Sequence, residues 1–165
     1  MSEILNSRPA VEDFLFHEAD LLDNWRLPEW ADLYTDDAHY DIASLDSPDA
    51  LAADPGTSLF VLSDPKFRIV SRAKRLMKKT AHAEYPHSKT RHLLTNVRLG
   101  EGDASERKVR VNFVVYRTKG DNTVQYMGEA HYVLKMVDGK IRIHRKRCVL
   151  DLNTLADQGR LTIIL

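Results

Sequence analysis

From Lys89 to Asp151 the chain repeats one pattern, long runs of alternating apolar and polar residues broken by short turns. Period-2 alternation sends successive side chains to opposite faces, so this half is constrained to a sheet of long antiparallel strands. The first run, Lys89-Thr90-Arg91-His92-Leu93-Leu94-Thr95-Asn96-Val97, puts His92, Leu94 and Asn96 on one face and Arg91, Leu93, Thr95 and Val97 on the other. Apolar residues on both faces predict an inner strand covered on both sides. Strands over 107–118, 123–137 and 140–151 come next, with turns at Gly100–Asp103 and Gly120–Asn122. Asp138-Gly139 is a type I′ hairpin signal, because that turn needs positive φ at both positions. The Ile141/Ile143 phase is lost at Arg145-Lys146-Arg147, which predicts a bulge or bend.

The residues before Lys89 read mainly as helix that must cover this sheet. Residues 8–26 place Pro9 in a first turn and form an apolar stripe of Val11, Leu15, Ala19, Leu22 and Trp25. Glu12, Asp13, Glu18, Asp20 and Asp23 line the other side. Leu27 to Tyr34 reads as a short helix begun by Pro28, and Ala38 to Ala43 as a short strand. Residues 44–58 read as a loop and 59–62 as a brief strand-like run. Ser63-Asp64-Pro65 predicts an N-cap for a third helix over roughly 65–83. That helix has Ile69, Ala73, Leu76, Met77 and Thr80 inside and a row of Lys and Arg outside. The basic row is either a solvated, acid-paired face or a surface for phosphate or membrane. Residues 153–159 are expected to form a helical turn and 161–165 a β-type run.

Helices followed by a long sheet make an α+β plan, here one domain over 1–165. A strongly curved, mostly antiparallel sheet wrapped around N-terminal helices leaves a cone with one open end, the natural place for a ligand. Tyr40, Phe113, Glu129, His131 and Tyr132 are the candidates to line it.

The 165-residue chain has zero formal net charge, but residues 1–54 hold 14 acids and 2 bases while residues 55–165 hold 10 acids and 22 bases. That split excludes a uniformly basic nucleic-acid binder. It predicts either acidic helices docked beside a basic sheet within the fold, or a charged surface that meets another chain. No apolar run reaches the ~18 residues of a membrane helix. The first residues lack the basic and apolar regions of a signal peptide. A lone Cys148 rules out an internal disulfide framework, so a reducing cytoplasm is expected.

Zinc and Rieske sites need close sets of thiolates and imidazoles. One cysteine does not supply them, and none of the seven histidines falls in an H-x-x-x-H pair, so no metal site is expected. There is no Gly-x-Ser-x-Gly elbow, Cys–His signature or glycine-rich phosphate loop. Acid–base chemistry remains open. Glu129 and His131 share a strand face by parity, and a carboxylate and an imidazole facing a dry cavity can move protons on a small apolar substrate. The alternative is that these are polar strand groups bonded within the sheet or at a subunit contact. His92 and Asn96 lie four residues apart on a strand, about 13 Å, so they act as separate anchors rather than a pair. Arg91, with its planar fork of donors, needs carboxylate or carbonyl partners on an inner strand.

Ser88-Lys89-Thr90-Arg91-His92-Leu93-Leu94-Thr95-Asn96-Val97 resembles the Ser-Arg-Thr-Arg-His-x-x-(Ser/Thr)-Asn-Val motif of the β subunits of bacterial aromatic-ring-hydroxylating dioxygenases. Glu18-Ala19-Asp20-Leu21-Leu22-Asp23, Trp30 to Tyr40, the basic stretch Arg68 to Leu76, Ala83-Glu84-Tyr85-Pro86, Val111 to Arg117 and the arginine-rich run into Leu150-Asp151 match the same family in order. Lys89 replaces its usual Arg, and Lys146-Arg147-Cys148 replaces an Arg-Thr-Ile type segment. The resemblance implies a cystatin-like, nuclear-transport-factor-2-like cone. It implies a homotrimer of β subunits under three α subunits, with the Rieske iron–sulfur cluster and mononuclear iron in the α subunit and no cofactor here. It implies a mainly structural chain without catalytic residues, in which Arg91, His92, Asn96 and Asp151 fix strands and subunit contacts. The alternative is a stand-alone cone-fold enzyme of dehydratase, isomerase or cyclase type acting on an apolar ring compound, because fold alone does not settle function. Side chains such as Tyr132, Phe113 and Leu94 filling the cone would argue against that enzyme.

Overall fold

Ser7 opens the first helix by accepting a 3.4 Å bond from the Ala10 N–H, and α1 then runs Arg8–Asp23. The computed structural model describes residues 3–43, 49–58, 60–152, 155 and 160–165. Helix α2 (Leu27–Asp32) comes after a tight turn at Trp25, and strand β1 spans Tyr34–Ala43. Then come β2 (Phe60–Pro65) and α3 (Lys66–Leu76). The long strands are β3 (Lys89–Gly102), β4 (Glu106–Lys119), β5 (Asn122–Val137) and β6 (Lys140–Leu150).

The sheet order is β2-β1-β6-β5-β4-β3. All neighbours are antiparallel except β1 and β6, which pair parallel with Tyr40 opposite Lys146. β3 is therefore an edge strand, a correction to the inner-strand expectation. Its outward apolar residue Leu93 belongs to a cross-strand ladder, Leu93–Val114–Met127, on the outer face. That ladder, not a second covering layer, explains the two-faced pattern. The inner face carries Val109, Val111, Phe113 and Val115 on β4, and Tyr126, Ala130, Tyr132 and Leu134 on β5, all buried against the helices. Trp30 of α2 is fully buried, edge-on to Tyr34 at 5.1 Å and Tyr40 at 5.9 Å. Such aromatic pairs add about 0.5–1.5 kcal/mol each beyond their burial.

Two bulges set which residues point inward. On β3 the register slips between Thr95 and Arg98, and Asn96 takes a left-handed φ of 57°. Asn tolerates that conformation better than most residues. Thr90, His92 and Leu94 face in before the bulge, and Val97 and Leu99 after it. On β6, Val133 and Leu134 face Arg145 and Ile143, so His144 is the extra residue. This is the irregularity expected near Arg145, and it turns Lys146, Cys148 and Leu150 into the interior. The Asp138-Gly139 hairpin forms with φ of 50° and 74°.

Other expectations are revised. Ser63 and Asp64 end β2 rather than cap a helix: the Ser63 hydroxyl donates to Asp41 and Asp64 accepts from Arg72. Helix α3 stops at Leu76, ahead of Met77 and Thr80. The run 161–165 forms no strand, but Ile163, Ile164 and Leu165 are buried in the core. Leu59, residues 44–48 of the predicted loop and most of the predicted turn at 153–159 lie outside the described residues.

Candidate functional site

The cone interior is where a ligand of this fold would sit, and here it is built shut. Glu18, on the buried face of α1, accepts from the Trp30 indole at 3.1 Å, the Tyr132 hydroxyl at 2.7 Å and the Lys146 ammonium at 2.7 Å. Lys146 also donates to the Leu165 main-chain oxygen at 2.7 Å, and the Leu165 N–H donates to the Tyr40 hydroxyl at 3.1 Å. Segment 163–165 thus lies over the interior and is tied to it. The space left between Glu18, His92, Phe113, Tyr132, Lys146 and Leu165 is about 10 Å³, at most one water. The expected lining residues Tyr40, Phe113 and Tyr132 are present, but they fill the cone rather than frame a cavity. Glu18 accepts from three protein donors, and the space beside it is too small for a substrate. The expectation of an open cone is corrected accordingly.

Burial pushes the Tyr132 hydroxyl well above its ordinary pKa, with the Glu18 charge acting in the same direction. Burial likewise pushes the Cys148 thiol up to about 12, which leaves it an inert core group. Among the described residues no three His, Cys, Asp or Glu side chains converge as a metal would require.

Glu129 and His131 do share a face and hydrogen-bond at 3.0 Å. That face is the outer one, since the alternating residues Gly128, Ala130 and Tyr132 point inward. They are not cone residues, a correction to their candidacy there. His131 lies in a ladder that crosses five strands: Arg98, Arg110, His131, Arg147 and Asp41. This ladder floors an outer-face groove of about 680 Å³ walled by residues 51–55. Arg147 ties that wall down by donating to the carbonyls of Leu51 and Ala53 at 2.8 and 2.9 Å.

The motif residues separate. His92, with 4% of its side chain exposed, bridges Asp23 of α1 at 2.6 Å and the Ile164 carbonyl at 2.9 Å. Asp23 also accepts from the Thr90 hydroxyl and the His92 N–H. This anchor is legible as an isolated strand histidine, whereas its partner Asp23 has the pattern of solvent-facing helix polarity. Arg91 is exposed, and its described hydrogen bond is a 3.5 Å contact to the Thr90 carbonyl. Of the two sources expected for Arg91's partners, no carboxylate of residues 1–54 reaches it among the described residues, because β3 is an edge strand; the other is a neighbouring subunit. Asn96 is exposed at the bulge and serves backbone geometry, not a buried amide bond. Asp151 is also exposed, and its N–H continues the sheet by donating to the Met127 carbonyl at 2.9 Å. His92→Ala is expected to lower stability by about 2–3 kcal/mol, because it strands a partly buried carboxylate. Arg91→Ala should change it by less than about 0.5 kcal/mol. Thermal melts of the two variants check the contrast.

Glu84 is a second anchor, one that strand and helix periodicity does not single out. Fully buried, it accepts from Arg117 at 2.6 Å, from the Ser88 hydroxyl at 2.6 Å and from Thr162. Burial raises its pKa, but these hydrogen bonds and the Arg117 charge outweigh burial and leave it lowered. Asp23 shows the same pattern, with burial outweighed by its hydrogen bonds and charge pairing to His92 and by Thr90. A folded pKa below the unfolded one adds stability above the unfolded carboxylate value, and that contribution is lost as pH falls through the folded value. The melting temperature should therefore be insensitive to these two groups from neutrality down to about pH 5 and decline below about pH 4. Melts across that range test it.

Residues 17–157 match the family model described as ring hydroxylating beta subunit. The chain belongs to the ring-hydroxylating β-subunit family. Over 96% of this chain and 87% of the relative, it is 49% identical to the small oxygenase component of the p-cumate 2,3-dioxygenase system of Pseudomonas putida. It is thus a small subunit of the aromatic-ring-hydroxylating dioxygenase type. A chain of naphthalene 1,2-dioxygenase solved with indole in its active site superimposes with a TM-score of 0.80 at 16% identity, covering 93% of this chain and 83% of that one. A nuclear-transport-factor-2-like protein with a cystatin-like fold from Novosphingobium aromaticivorans gives 0.65 at 13% identity, covering 96% and 90%. The last two likenesses concern the fold, and they agree with the α+β cone expected for the family.

Proposed function

We propose that this β subunit is a non-catalytic scaffold, and that it assembles as a homotrimer beneath three iron-containing α subunits acting on an aromatic carboxylate of the p-cumate kind. The observation that carries the scaffold role is the closed cone, in which Glu18, Tyr132, Lys146 and segment 163–165 occupy the space a substrate would need. The substrate class rests on the 49% identical relative, and the three-plus-three assembly on the family resemblance. The family resemblance puts the Rieske cluster and mononuclear iron in the proposed partner. Among the described residues no helix is long and apolar enough to cross a membrane.

The test is co-expression with an α subunit of the p-cumate dioxygenase type. The two chains should co-purify in equal amounts, iron should stay with the α chain, and ring dihydroxylation should need both. Turnover of an aromatic compound by this chain alone would instead establish the stand-alone enzyme.

A further inference from the structure

The outer-face groove gathers positive charge that the described residues leave unpaired. Arg98 and Arg110 are directly opposite each other on β3 and β4, and Arg145, on the far side of β5, is offset from them by two residues. Like charges placed directly opposite destabilise a strand pair. The three acids that line the groove are engaged elsewhere: Asp41 with Arg147, Glu101 with Lys108, and Asp54 with the Gly56 N–H. Among the described residues none of Arg98, Arg110 and Arg145 reaches a carboxylate. The groove walls add exposed Leu51 and half-buried Val133.

The complement lies on α1. Asp13, Phe16 and Asp20 share one exposed face at helical spacing, with Phe16 49% exposed. Among the described residues neither aspartate has a cation within salt-bridge distance, and Asp20 accepts from the Asn24 side-chain amide at 3.0 Å. Seven residues of helix separate Asp13 from Asp20, about 10 Å. Arg110 and Arg145 lie two strands apart and offset by two residues, about 12 Å. The acidic excess of residues 1–54 and the basic excess of 55–165 therefore remain partly uncompensated on two different surfaces.

We propose that the arginine groove receives the Asp13–Phe16–Asp20 face of a second copy of this chain, whose carboxylates neutralise Arg98, Arg110 and Arg145. The contact rests on the trimeric reading above and specifies its surfaces. It pairs two different patches, which is the heterologous contact that a closed ring of three requires.

Sedimentation velocity of the full chain tests this with a charge swap. The wild type should run at three times the 18.9 kDa chain mass. Arg98→Glu/Arg110→Glu and Asp13→Arg/Asp20→Arg should each run as monomers, and the chain carrying all four changes should return to the trimer. If either two-site variant stays trimeric, or the four-site chain stays monomeric, the proposed surface is wrong while the trimer stands. A wild type that is monomeric throughout removes the trimer itself. Should a reversal variant fail to fold by circular dichroism, Arg98→Gln/Arg110→Gln replaces it, with at least about a tenfold rise in trimer dissociation expected and an unchanged value refuting the surface. Reversal variants that remain trimeric but lose the α subunit would assign the groove to α and overturn the proposal.

Discussion

Lys146→Ala is expected to lower the melting temperature by roughly 6–20 °C. The lysine side chain is 4% exposed and its partner Glu18 is 2% exposed. Truncation leaves a buried carboxylate with neutral donors from Trp30 and Tyr132 but no cation, a loss of about 3–5 kcal/mol. A domain holds only about 5–15 kcal/mol in total, and at this size each kcal/mol moves the melt by about 2–4 °C. The same change removes the donor to the Leu165 oxygen, so amide exchange at Ile163–Leu165 should quicken more than elsewhere. Lys146→Met combined with Glu18→Leu should recover much of the loss, since replacing a whole buried pair by apolar groups is close to neutral. A single variant that melts within about 2 °C of wild type would show that the pair is not what closes the cone.

Glu84→Ala should be comparable in size and different in where it acts. The carboxylate joins the loop before β3, the Arg117 side chain of β4 and Thr162 near the core-packed segment. Its removal leaves Arg117, 16% exposed at its side chain, without its carboxylate partner, again about 3–5 kcal/mol. Because Ser88 directly precedes β3, local opening should extend to residues 77–88, and limited proteolysis there should speed up well before global unfolding. Glu84→Gln keeps an acceptor for the serine and threonine hydroxyls and should fall between wild type and alanine. Equal protease resistance in all three would reject Glu84 as a fastener.

The long strands are legible in the sequence because period-2 alternation and Asp138-Gly139 leave little choice about a meander. Parity fails wherever a residue is inserted, so Asn96 and His144 each reverse the facing of the residues C-terminal to them. Edge position is invisible because Leu93 has an outer-face ladder to join. The parallel β1–β6 pairing is hidden too, since nothing local in an acid-bearing strand such as Thr35-Asp36-Asp37 names a partner a hundred residues away. Glu18 groups with the solvent-facing acids by charge, although it stands at i+3 from Leu15 and i−4 from Leu22, on the buried stripe itself. A carboxylate on an apolar stripe is a signal for a distant base, and Lys146, mid-strand among Val, Ile and Cys, is its matching half. The family motif names the right strand but not its chemistry: only His92 of its polar residues at 91, 92 and 96 becomes an interior anchor.

The parallel pairing of β1 with β6 also fixes an order of events during synthesis. Strand β1 leaves the ribosome early, yet its sheet neighbour at Arg145–Cys148 arrives about a hundred residues later. Until then α1 and α2 have no finished sheet to rest on, and Glu18 waits 128 positions for its lysine. Contacts of such long sequence separation make folding slow and leave apolar helix faces exposed while it proceeds. The nascent N-terminal half is thus the stage at which this subunit is expected to be most prone to aggregate.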